Sequence, residues 1–389
     1  MTEKYETGKF LVREQTGKVI KIVFTGGPCA GKTTAIPLCS ELLLSAGFNV
    51  LLIPEGSTMI QGCGIVLKDN LVSNIEFQRA LFKYQMFFEK LLSEINLNND
   101  KDIVILCDRG LIDNKAYIED KEEWLKLLKE FELTEELIFS SYDYILHMQS
   151  AAYGAEEAYT CQNNDKRVEN TIEKARAVED NIVRAYYGVD KNILQYIDNS
   201  TNFDEKIQRV VNALFEYLGL AKPTLKQRKF LVEKEEFVTI AKSYEANSTI
   251  IEQVYLKTSD KNIERKIRKV GKNGKYVYYY IVKHLDESVG IKQQQISSKL
   301  YDMLYNERDE KSAVLTKTRY YFSKDSIYYN LDVFENMKNS ILEVRTTDKN
   351  NNIQFDVRGK FREVTNDERF KNSNIAKALK EKIDLASWY

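Results

Sequence analysis

The run Val19–Thr34, VIKIVFTGGPCAGKTT, decides the fold of the first half of the chain. Its apolar start predicts a buried strand, its glycines predict a turn, and the following AIPLCSELLLSAG predicts a helix. Gly26, Gly31, Lys32 and Thr33 have the spacing of the Walker A motif, which requires this strand, turn and helix in this order.

The chemistry of that motif is phosphate binding. Backbone N–H groups of the loop surround phosphate oxygens, and the N-terminus of the following helix adds a positive potential. Lys32 is expected to reach the β- and γ-phosphates, and the Thr33 hydroxyl to bind Mg²⁺. We therefore predict GTP or ATP with Mg²⁺ as the ligand. No guanine-reading NKxD signature decides between the two bases. The predicted nucleotide-binding residues are Gly26, Gly27, Pro28, Cys29, Ala30, Gly31, Lys32, Thr33 and Thr34.

Further apolar strands are predicted at Phe48–Ile53, Ile103–Arg109 and Tyr142–Met148, and helical patterns lie at Ile75–Ile95 and Asp204–Leu218. Strands that alternate with helices are typical of a parallel sheet covered by helices on both faces. The first half is therefore predicted to be an α/β domain.

Polar residues at two strand ends are candidates for the site, because ligands of such sheets bind at the carboxyl ends of the strands. Asp108 ends IVILCD and is the predicted second Mg²⁺ ligand; a helix cap or an ion pair with Arg109 is the alternative. Glu55 and Arg109 are predicted on the acceptor side of the crevice, although Glu55 equally fits a solvated loop carboxylate.

A charged stretch, NNDKRVENTIEKARAVEDNIVRAYY, follows the last of these strands. In small-molecule kinases such a segment forms a lid whose arginines hold phosphates during transfer, and here these would be Arg167 and Arg176. A charge-rich helix is also typical of a solvated surface, so both interpretations stay open.

The size and composition limit the possible classes. A chain of 389 residues indicates two domains, and a formal net charge of −1 argues against nucleic acid or a membrane held by bulk charge. The five cysteines are odd in number and unclustered, which is typical of reduced thiols in a cytoplasmic protein. We found no run of eighteen apolar residues and no secretory signal, so no transmembrane segment is expected.

The pattern of predicted secondary structure changes near Pro223, from strands that alternate with helices to a series of strands. We predict a polar lead-in over 1–18, a nucleotide-binding domain over 19–220, a linker over 221–224 and a second domain over 225–389. That last part consists of alternating strands, interrupted by one helix near Ile296–Leu304. Many evenly spaced strands predict an antiparallel β-barrel, closed or nearly so.

Charged residues alternate along these strands, so one face of the barrel should carry them. Such a face cannot be an ordinary core and is expected to hold water or an anion. A register shifted by one residue would instead place the same charges outside. The predicted set, called the charged face below, has seven basic and three acidic members: Lys229, Lys266, Arg268, Lys283, Lys317, Arg319, Arg345, Glu264, Asp332 and Glu343.

Two family resemblances add to this picture. The first rests on four motifs within residues 19–220: GGPCAGKTT, PEGST at 54–58, LCDRGLID at 106–113 and GAEEAYTCQNNDKRVENT at 154–171. Together they resemble the NadR-like P-loop family, and more narrowly its branch typified by the TRPL translocation defect protein. That resemblance implies binding of GTP and of a phosphorylated lipid, and a role in trafficking of membrane proteins.

The second covers about 224–389, whose strands resemble the CYTH, or triphosphate tunnel, family in order, from RKFLV at 228–232 to LEV at 342–344. The family's opening Glu-x-Glu-x-Lys reads Leu225, Gln227 and Lys229 here, and its later Glu-x-Glu reads Glu343-x-Arg345. Hard cations need several converging carboxylates. The loss of three implies a former metal-dependent tunnel that now binds anions.

These observations favour a Mg²⁺-dependent GTP- or ATP-binding regulator. Its barrel would bind an anionic small molecule, or the headgroup of a phosphoinositide or phosphatidic acid, and the protein would be cytoplasmic and peripheral at membranes. Two alternatives remain open. One is a P-loop kinase for a nucleoside-type small molecule, and the other is a tunnel triphosphatase or pyrophosphatase.

Overall fold

The computed structural model describes residues 17–65, 72–95, 97, 99–158, 171–272, 274–285, 291–346 and 361–383. Arg167, one of the two predicted lid arginines, lies outside the described residues, as does most of the predicted lead-in.

The first sheet has five parallel strands in the order β2-β3-β1-β4-β5. The predicted parallel α/β fold is confirmed. The sequence patterns missed β5, a four-residue strand in which two residues are exposed. The strands are β1 (Val19–Thr25), β2 (Asn49–Ile53), β3 (Ile103–Asp108), β4 (Tyr144–Met148) and β5 (Leu194–Ile197).

Seven helices surround this sheet, and most begin with a side-chain cap; Thr171, for example, accepts from the N–H of Lys174. Leu42 and Phe215 pack on one face of the sheet, while Phe82 and Trp124 pack on the other. A 3₁₀ helix spans Leu111–Tyr117. The helices are α1 (Lys32–Ser45), α2 (Gly56–Gly62), α3 (Asn74–Ser93), α4 (Lys121–Glu130), α5 (Glu135–Ser140), α6 (Ile172–Ala185) and α7 (Phe203–Tyr217).

The second sheet is antiparallel throughout and has nine strands, in the order β10-β9-β8-β7-β11-β12-β13-β6-β14. The predicted antiparallel fold is confirmed. The strands are β6 (Arg228–Glu233), β7 (Asn247–Tyr255), β8 (Ile263–Lys272), β9 (Lys275–His284), β10 (Ile291–Ile296), β11 (Leu315–Lys324), β12 (Ile327–Phe334), β13 (Asn339–Arg345) and β14 (Phe361–Glu363).

Of the two predicted forms, closed or nearly closed, the described residues do not show a fully closed barrel, because the edge strands β10 and β14 do not pair with each other among them. Helix α1 of the first domain contacts β10, β11 and β12. In a flat sheet four strand spacings would separate β10 from β11, about 19 Å. The second sheet must therefore curl around α1.

Three helices accompany this sheet where one was predicted: α8 (Lys234–Ser243), α9 (Ser298–Tyr305) and α10 (Asn372–Lys380). Helix α8 was not predicted, and its Val238, Thr239 and Ile240 are β-branched residues, which favour strands. Tertiary packing decides for the helix, since Phe237 and Ala241 are buried against the sheet. No helix of the described residues is long and apolar enough to cross a membrane.

A tyrosine of the second sheet completes the core of the first domain. Tyr328 is 5% exposed and meets Phe215 of α7 edge-on, with ring centroids 5.6 Å apart. Its hydroxyl donates to the carbonyl oxygen of Ala221 at 2.6 Å. One side chain thus fixes the position of α7 and of the linker on the second sheet.

We therefore expect Tyr328→Ala to lower the free energy of unfolding by about 3 kcal/mol through the lost aromatic packing. Tyr328→Phe keeps that packing and should cost about 1 kcal/mol, the share of one hydrogen bond. Urea denaturation followed by circular dichroism measures both. An alanine variant as stable as the phenylalanine variant would show that Tyr328 does not hold the two parts together.

Candidate nucleotide site and charged face

The loop between β1 and α1 has a backbone shape that requires glycine. Gly26 has φ 126°, and a Cβ there would lie 1.9 Å from the carbonyl oxygen of Met148. Gly31, which precedes α1, has φ 97°. These conformations let the loop turn sharply and present its N–H groups at the N-terminus of α1.

A buried carboxylate supports this loop from behind. Glu179 of α6 accepts a hydrogen bond from the N–H of Gly27 at 2.6 Å, and its other oxygen lies 2.8 Å from Nε2 of His147. The sequence patterns missed Glu179. The signal that could have found it is its place on the buried stripe of α6, with Ala175 and Ile182.

A buried ammonium supports the other side of the loop. Nζ of Lys206 donates to the carbonyl oxygens of Ala30 at 2.9 Å and Gln149 at 2.6 Å, and to Oδ1 of Asn199 at 2.7 Å. Burial lowers the pKa of Lys206 to about 8. This lysine was not predicted either, because two of its partners, Ala30 and Gln149, lie 176 and 57 residues away in the sequence.

Lys32 is folded onto its own loop. Its Nζ donates to the carbonyl oxygens of Gly26 at 2.7 Å and Gly27 at 3.2 Å, and the residue is 8% exposed. Burial, reinforced by the charge of Arg109, lowers the pKa of Lys32 to about 8. A negative charge beside this ammonium would favour its charged form.

Asp108 ends β3 and faces the loop across the site. Its Oδ1 is buried and has no hydrogen-bond partner within the described part of the chain. Burial raises the pKa of Asp108 to about 6, with a further contribution from the charge of Glu55. A buried carboxylate oxygen without a partner is costly, so it fits a site completed by a bound cation.

Arg109 connects the two sides of the crevice. It has φ 83°, in the left-handed region, and its Nη1 donates to the carbonyl oxygen of Gly26 at 3.0 Å. Its Nε lies 3.5 Å from Oε1 of Glu55. Burial opposes ionisation of Glu55, but the charges of Arg109 and Lys32 outweigh it and lower the pKa of this carboxyl.

Asp113 holds this arrangement in place. It accepts hydrogen bonds from Oγ1 of Thr25 at 2.5 Å, the hydroxyl of Tyr186 at 2.7 Å and the N–H of Gly110 at 2.8 Å. Nη1 of Arg109 lies 3.2 Å from its Oδ1. With its acceptor capacity used by the protein, Asp113 is a structural carboxylate.

A cavity of about 560 Å³ joins these groups. Its lining includes the loop, Thr33, Asp108 and Glu55, and a further part, called the chamber below, in which apolar and amide side chains are mixed. In that chamber Oε1 of Gln78 is buried and lacks a partner among the described residues. The residues of the chamber are Asn74, Phe77, Gln78, Leu81, Gln85, Asn114, Tyr117 and Val178.

The cavity lining contains both predicted magnesium ligands, Thr33 and Asp108. Within the described ranges there is no group of three or more His, Cys, Asp or Glu side chains that could hold a metal. A cation here would therefore need further oxygens, which a bound triphosphate has.

The second predicted lid arginine lies beside this cavity. Nε of Arg176 donates to the carbonyl oxygen of Ala152 at 2.8 Å, and Nη2 pairs with Glu156 at 2.8 Å. Both side chains of the pair are partly exposed. Lys174, two residues earlier on α6, lines the cavity instead. A phosphate contact of Arg176 stays a prediction.

The charged face lies on the side of the second sheet that α1 covers. Lys317 and Asp332 are 4% and 2% exposed, and Nζ of Lys317 lies 2.5 Å from Oδ2 of Asp332. Arg319 pairs with Asp332 at 2.6 Å and with Glu343 at 3.1 Å. Burial opposes the charge of Asp332, but Arg319 and Lys317 outweigh it and hold the pKa of this carboxyl well below its usual range.

Other cations of this face are paired as well. Lys229 lies opposite Glu343 in the register of β6 and β13, and their side chains are 3.4 Å apart. Lys266 pairs with Glu264 at 2.9 Å. Lys283 lies opposite Glu264 in the register of β8 and β9. Much of the charge is thus compensated within the protein.

Two arginines keep donor capacity. Nη2 of Arg268 donates to Oε1 of Gln253 at 3.1 Å, whereas its Nε is buried without a partner in the residues described. Burial and the nearby charge of Arg319 lower the pKa of Arg268. Nη1 of Arg345 donates to the carbonyl oxygen of Leu225, and its Nε is also buried and unpartnered in that same part.

Comparison with known proteins agrees with the description of the first domain. Residues 21–206 match the model of a family described as an AAA domain. No curated protein matches the chain.

Solved structures show weaker likenesses. The inorganic triphosphatase NE1496 is 24% identical, with 39% of this chain and 93% of that chain covered and a TM-score of 0.31. The NadR protein, solved with NAD and AMP-PNP, is 17% identical, with 53% of this chain and 50% of that chain covered and a TM-score of 0.37. The PH1819 protein from Pyrococcus horikoshii is 16% identical, with 31% of this chain and 77% of that chain covered and a TM-score of 0.25.

The narrower resemblance to the TRPL translocation defect protein stays a prediction. The loop geometry and the family match agree on the same residues, which run from β1 into α7. The stretch 21–206 matches the AAA-domain model and has the loop geometry of a P-loop, and it is joined to an antiparallel-sheet domain of the kind that the CYTH resemblance predicted.

Proposed function

We propose that the P-loop domain binds GTP or ATP with Mg²⁺, and that the protein is a nucleotide-dependent regulator whose charged face takes an anionic ligand. One observation carries the first part of the proposal. The buried, unpartnered Oδ1 of Asp108 lines the same cavity as Lys32 and Thr33. An acidic oxygen facing a phosphate loop is explained by a cation between them.

Some of these residues would bind the phosphates, and others would bind the cation. The N–H groups of the loop and the ammonium of Lys32 would hold the phosphates. To reach them, Lys32 must exchange its two carbonyl partners, Gly26 and Gly27, for phosphate oxygens. Thr33 and Asp108 would hold Mg²⁺, which supplies charge neutralisation between the phosphates and the carboxylate.

The second part of the proposal rests on charge and on unused donors. The charged face has seven basic and three acidic members, and Arg268 and Arg345 keep unpartnered Nε groups within the part of the chain that the structure describes. A phosphate could satisfy both the charge and the donors. A phosphoinositide or phosphatidic acid headgroup would supply this chemistry and link the protein to membrane trafficking; a soluble polyphosphate would supply the same chemistry.

A second candidate function is phosphoryl transfer to a small acceptor. It is favoured by the chamber of the same cavity. Its mixed apolar and amide side chains, and Oε1 of Gln78, which has no partner among the described residues, could hold an organic molecule next to the phosphates. Asp108 would then also be a candidate base. The tunnel triphosphatase alternative has less support, because the carboxylates expected to hold its metal are Leu225, Gln227 and Arg345 here.

Lys32→Ala should abolish binding of Mg²⁺·AMP-PNP and Mg²⁺·GTP, because it removes the side chain proposed to contact the β- and γ-phosphates. Isothermal titration calorimetry measures this, and Lys90→Ala on the exposed side of α3 is the charge-matched control. A folded Lys32→Ala protein that binds as tightly as the wild type would contradict the proposed site.

The pH dependence of nucleotide binding tests the role of Asp108. Its pKa is raised to about 6, so the carboxylate needed by Mg²⁺ is lost as the pH falls through 6. We expect the affinity for Mg²⁺·AMP-PNP to fall between pH 7 and pH 5 more steeply in the wild type than in Asp108→Asn. The phosphates titrate equally in both proteins, so identical slopes would exclude Asp108 as a metal ligand.

Arg268→Gln tests the charged face. Removing an arginine with a lowered pKa beside Arg319 should leave the melting temperature unchanged or higher, yet reduce its rise with tripolyphosphate or inositol phosphates. The assay uses the full chain carrying Lys32→Ala, so that the P-loop does not respond. Lys257→Gln, which removes an exposed ion pair with Glu310, is the control. A parent protein without any response would refute an anion site on this face.

A further inference from the structure

A carboxylate of the P-loop helix reaches the charged face. Glu41 lies on α1, nine residues after Lys32, which is about 14 Å along the helix axis. Its Oε1 accepts from Nη1 of Arg319 at 2.9 Å and from Nδ2 of Asn330 at 2.5 Å. Both partners belong to the second sheet, on β11 and β12.

This contact is part of a docked surface. Ser45 lies one turn after Glu41 on the same face of α1, and its hydroxyl is 2.9 Å from Oδ1 of Asn330. Ser45 and Asn330 are buried, at 1% and 4% exposed. The side chain of Glu41 is 28% exposed and that of Arg319 is 11% exposed. Glu41 thus lies at the solvent-accessible border of a surface that is otherwise closed.

Arg319 has more carboxylate partners than one guanidinium needs. Asp332 accepts hydrogen bonds from Nε and Nη2 of Arg319, and Glu343 accepts one from Nη2. Glu41 accepts one from Nη1. Asp332 and Glu343 come from the second sheet itself, so they are present whatever the first domain does. Glu41 is the partner supplied from outside the sheet, and it takes the donor that the sheet's own carboxylates leave.

From this geometry we infer that Glu41 is an intramolecular anion that competes with the ligand of the charged face for Arg319. Phosphate oxygens and carboxylate oxygens use the same guanidinium donors. An anion that enters the face beside Arg268 would meet Arg319 already bound by Glu41. Full engagement of Arg319 requires Glu41 to leave, so binding is weakened by the cost of breaking that pair.

The competition also connects the two ends of α1. Lys32 and Thr33 begin the helix that carries Glu41. An anion that displaces Glu41 therefore acts on the element that presents the phosphate loop. This inference rests on the proposed anion site, and it adds that the first domain restrains that site.

Glu41→Gln tests the competition. Glutamine keeps the shape and an acceptor oxygen for Arg319 and Asn330, but removes the charge. We expect tripolyphosphate to bind at least about fivefold more tightly in low salt, with a smaller gain at high salt. The measurement is isothermal titration calorimetry on the full chain. Every protein carries Lys32→Ala, and EDTA is present, so that the P-loop does not bind tripolyphosphate.

Two controls separate charge from docking. Ser45→Ala removes the neighbouring contact with Asn330 without a change of charge, and should leave the affinity within about twofold. Glu122→Gln removes an exposed carboxylate of α4 and tests a general charge effect; it should also have little influence.

The outcomes are distinct. Tighter binding in Glu41→Gln alone supports the competition. Equal or weaker binding than the parent overturns it while leaving the anion site intact. Equal gains in Glu41→Gln and Glu122→Gln also overturn it, because the effect would be one of net charge. If tripolyphosphate binds to none of the proteins, both the anion site and the competition are refuted.

Discussion

The packing of α1 between two sheets is the constraint on which the rest of the structure depends. On one side, Leu42 and its neighbours join the core of the parallel sheet with α7. On the other, Glu41 and Ser45 contact β11 and β12. Because α1 packs against both sheets, a shift of this helix relative to one sheet also changes its contacts with the other. The phosphate loop at its start is thus mechanically tied to the charged face at its side.

Burial of charge is the second constraint, and the protein meets it in two different ways. On the second sheet most cations are matched by carboxylates, and Asp332 is ionised because Arg319 and Lys317 surround it. Near the P-loop the balance is incomplete, since Asp108 lacks a partner for Oδ1 within the described residues. The first pattern stabilises a fold, and the second prepares a site for a ligand.

Much of the nucleotide site could be predicted because its signals are local. The turn shape of Gly26 and Gly31 and the place of Asp108 at a strand end follow from a few neighbouring residues. Glu179 and Lys206 could not be predicted so easily, because each reaches the loop from more than 100 residues away. Helix α8 was missed for a similar reason. Its β-branched residues favour a strand, and the burial of Phe237 against the sheet, which favours the helix, is a non-local contact.

By itself the sequence determined the two fold classes and the phosphate loop. Strand periodicity and turn chemistry are enough for these, since both act over short distances. Only the tertiary structure decided that the second sheet stays open around α1, and that Glu41 joins Arg319 across 278 residues of sequence. Such pairs depend on how two domains dock, and docking leaves no periodic trace in the sequence of either.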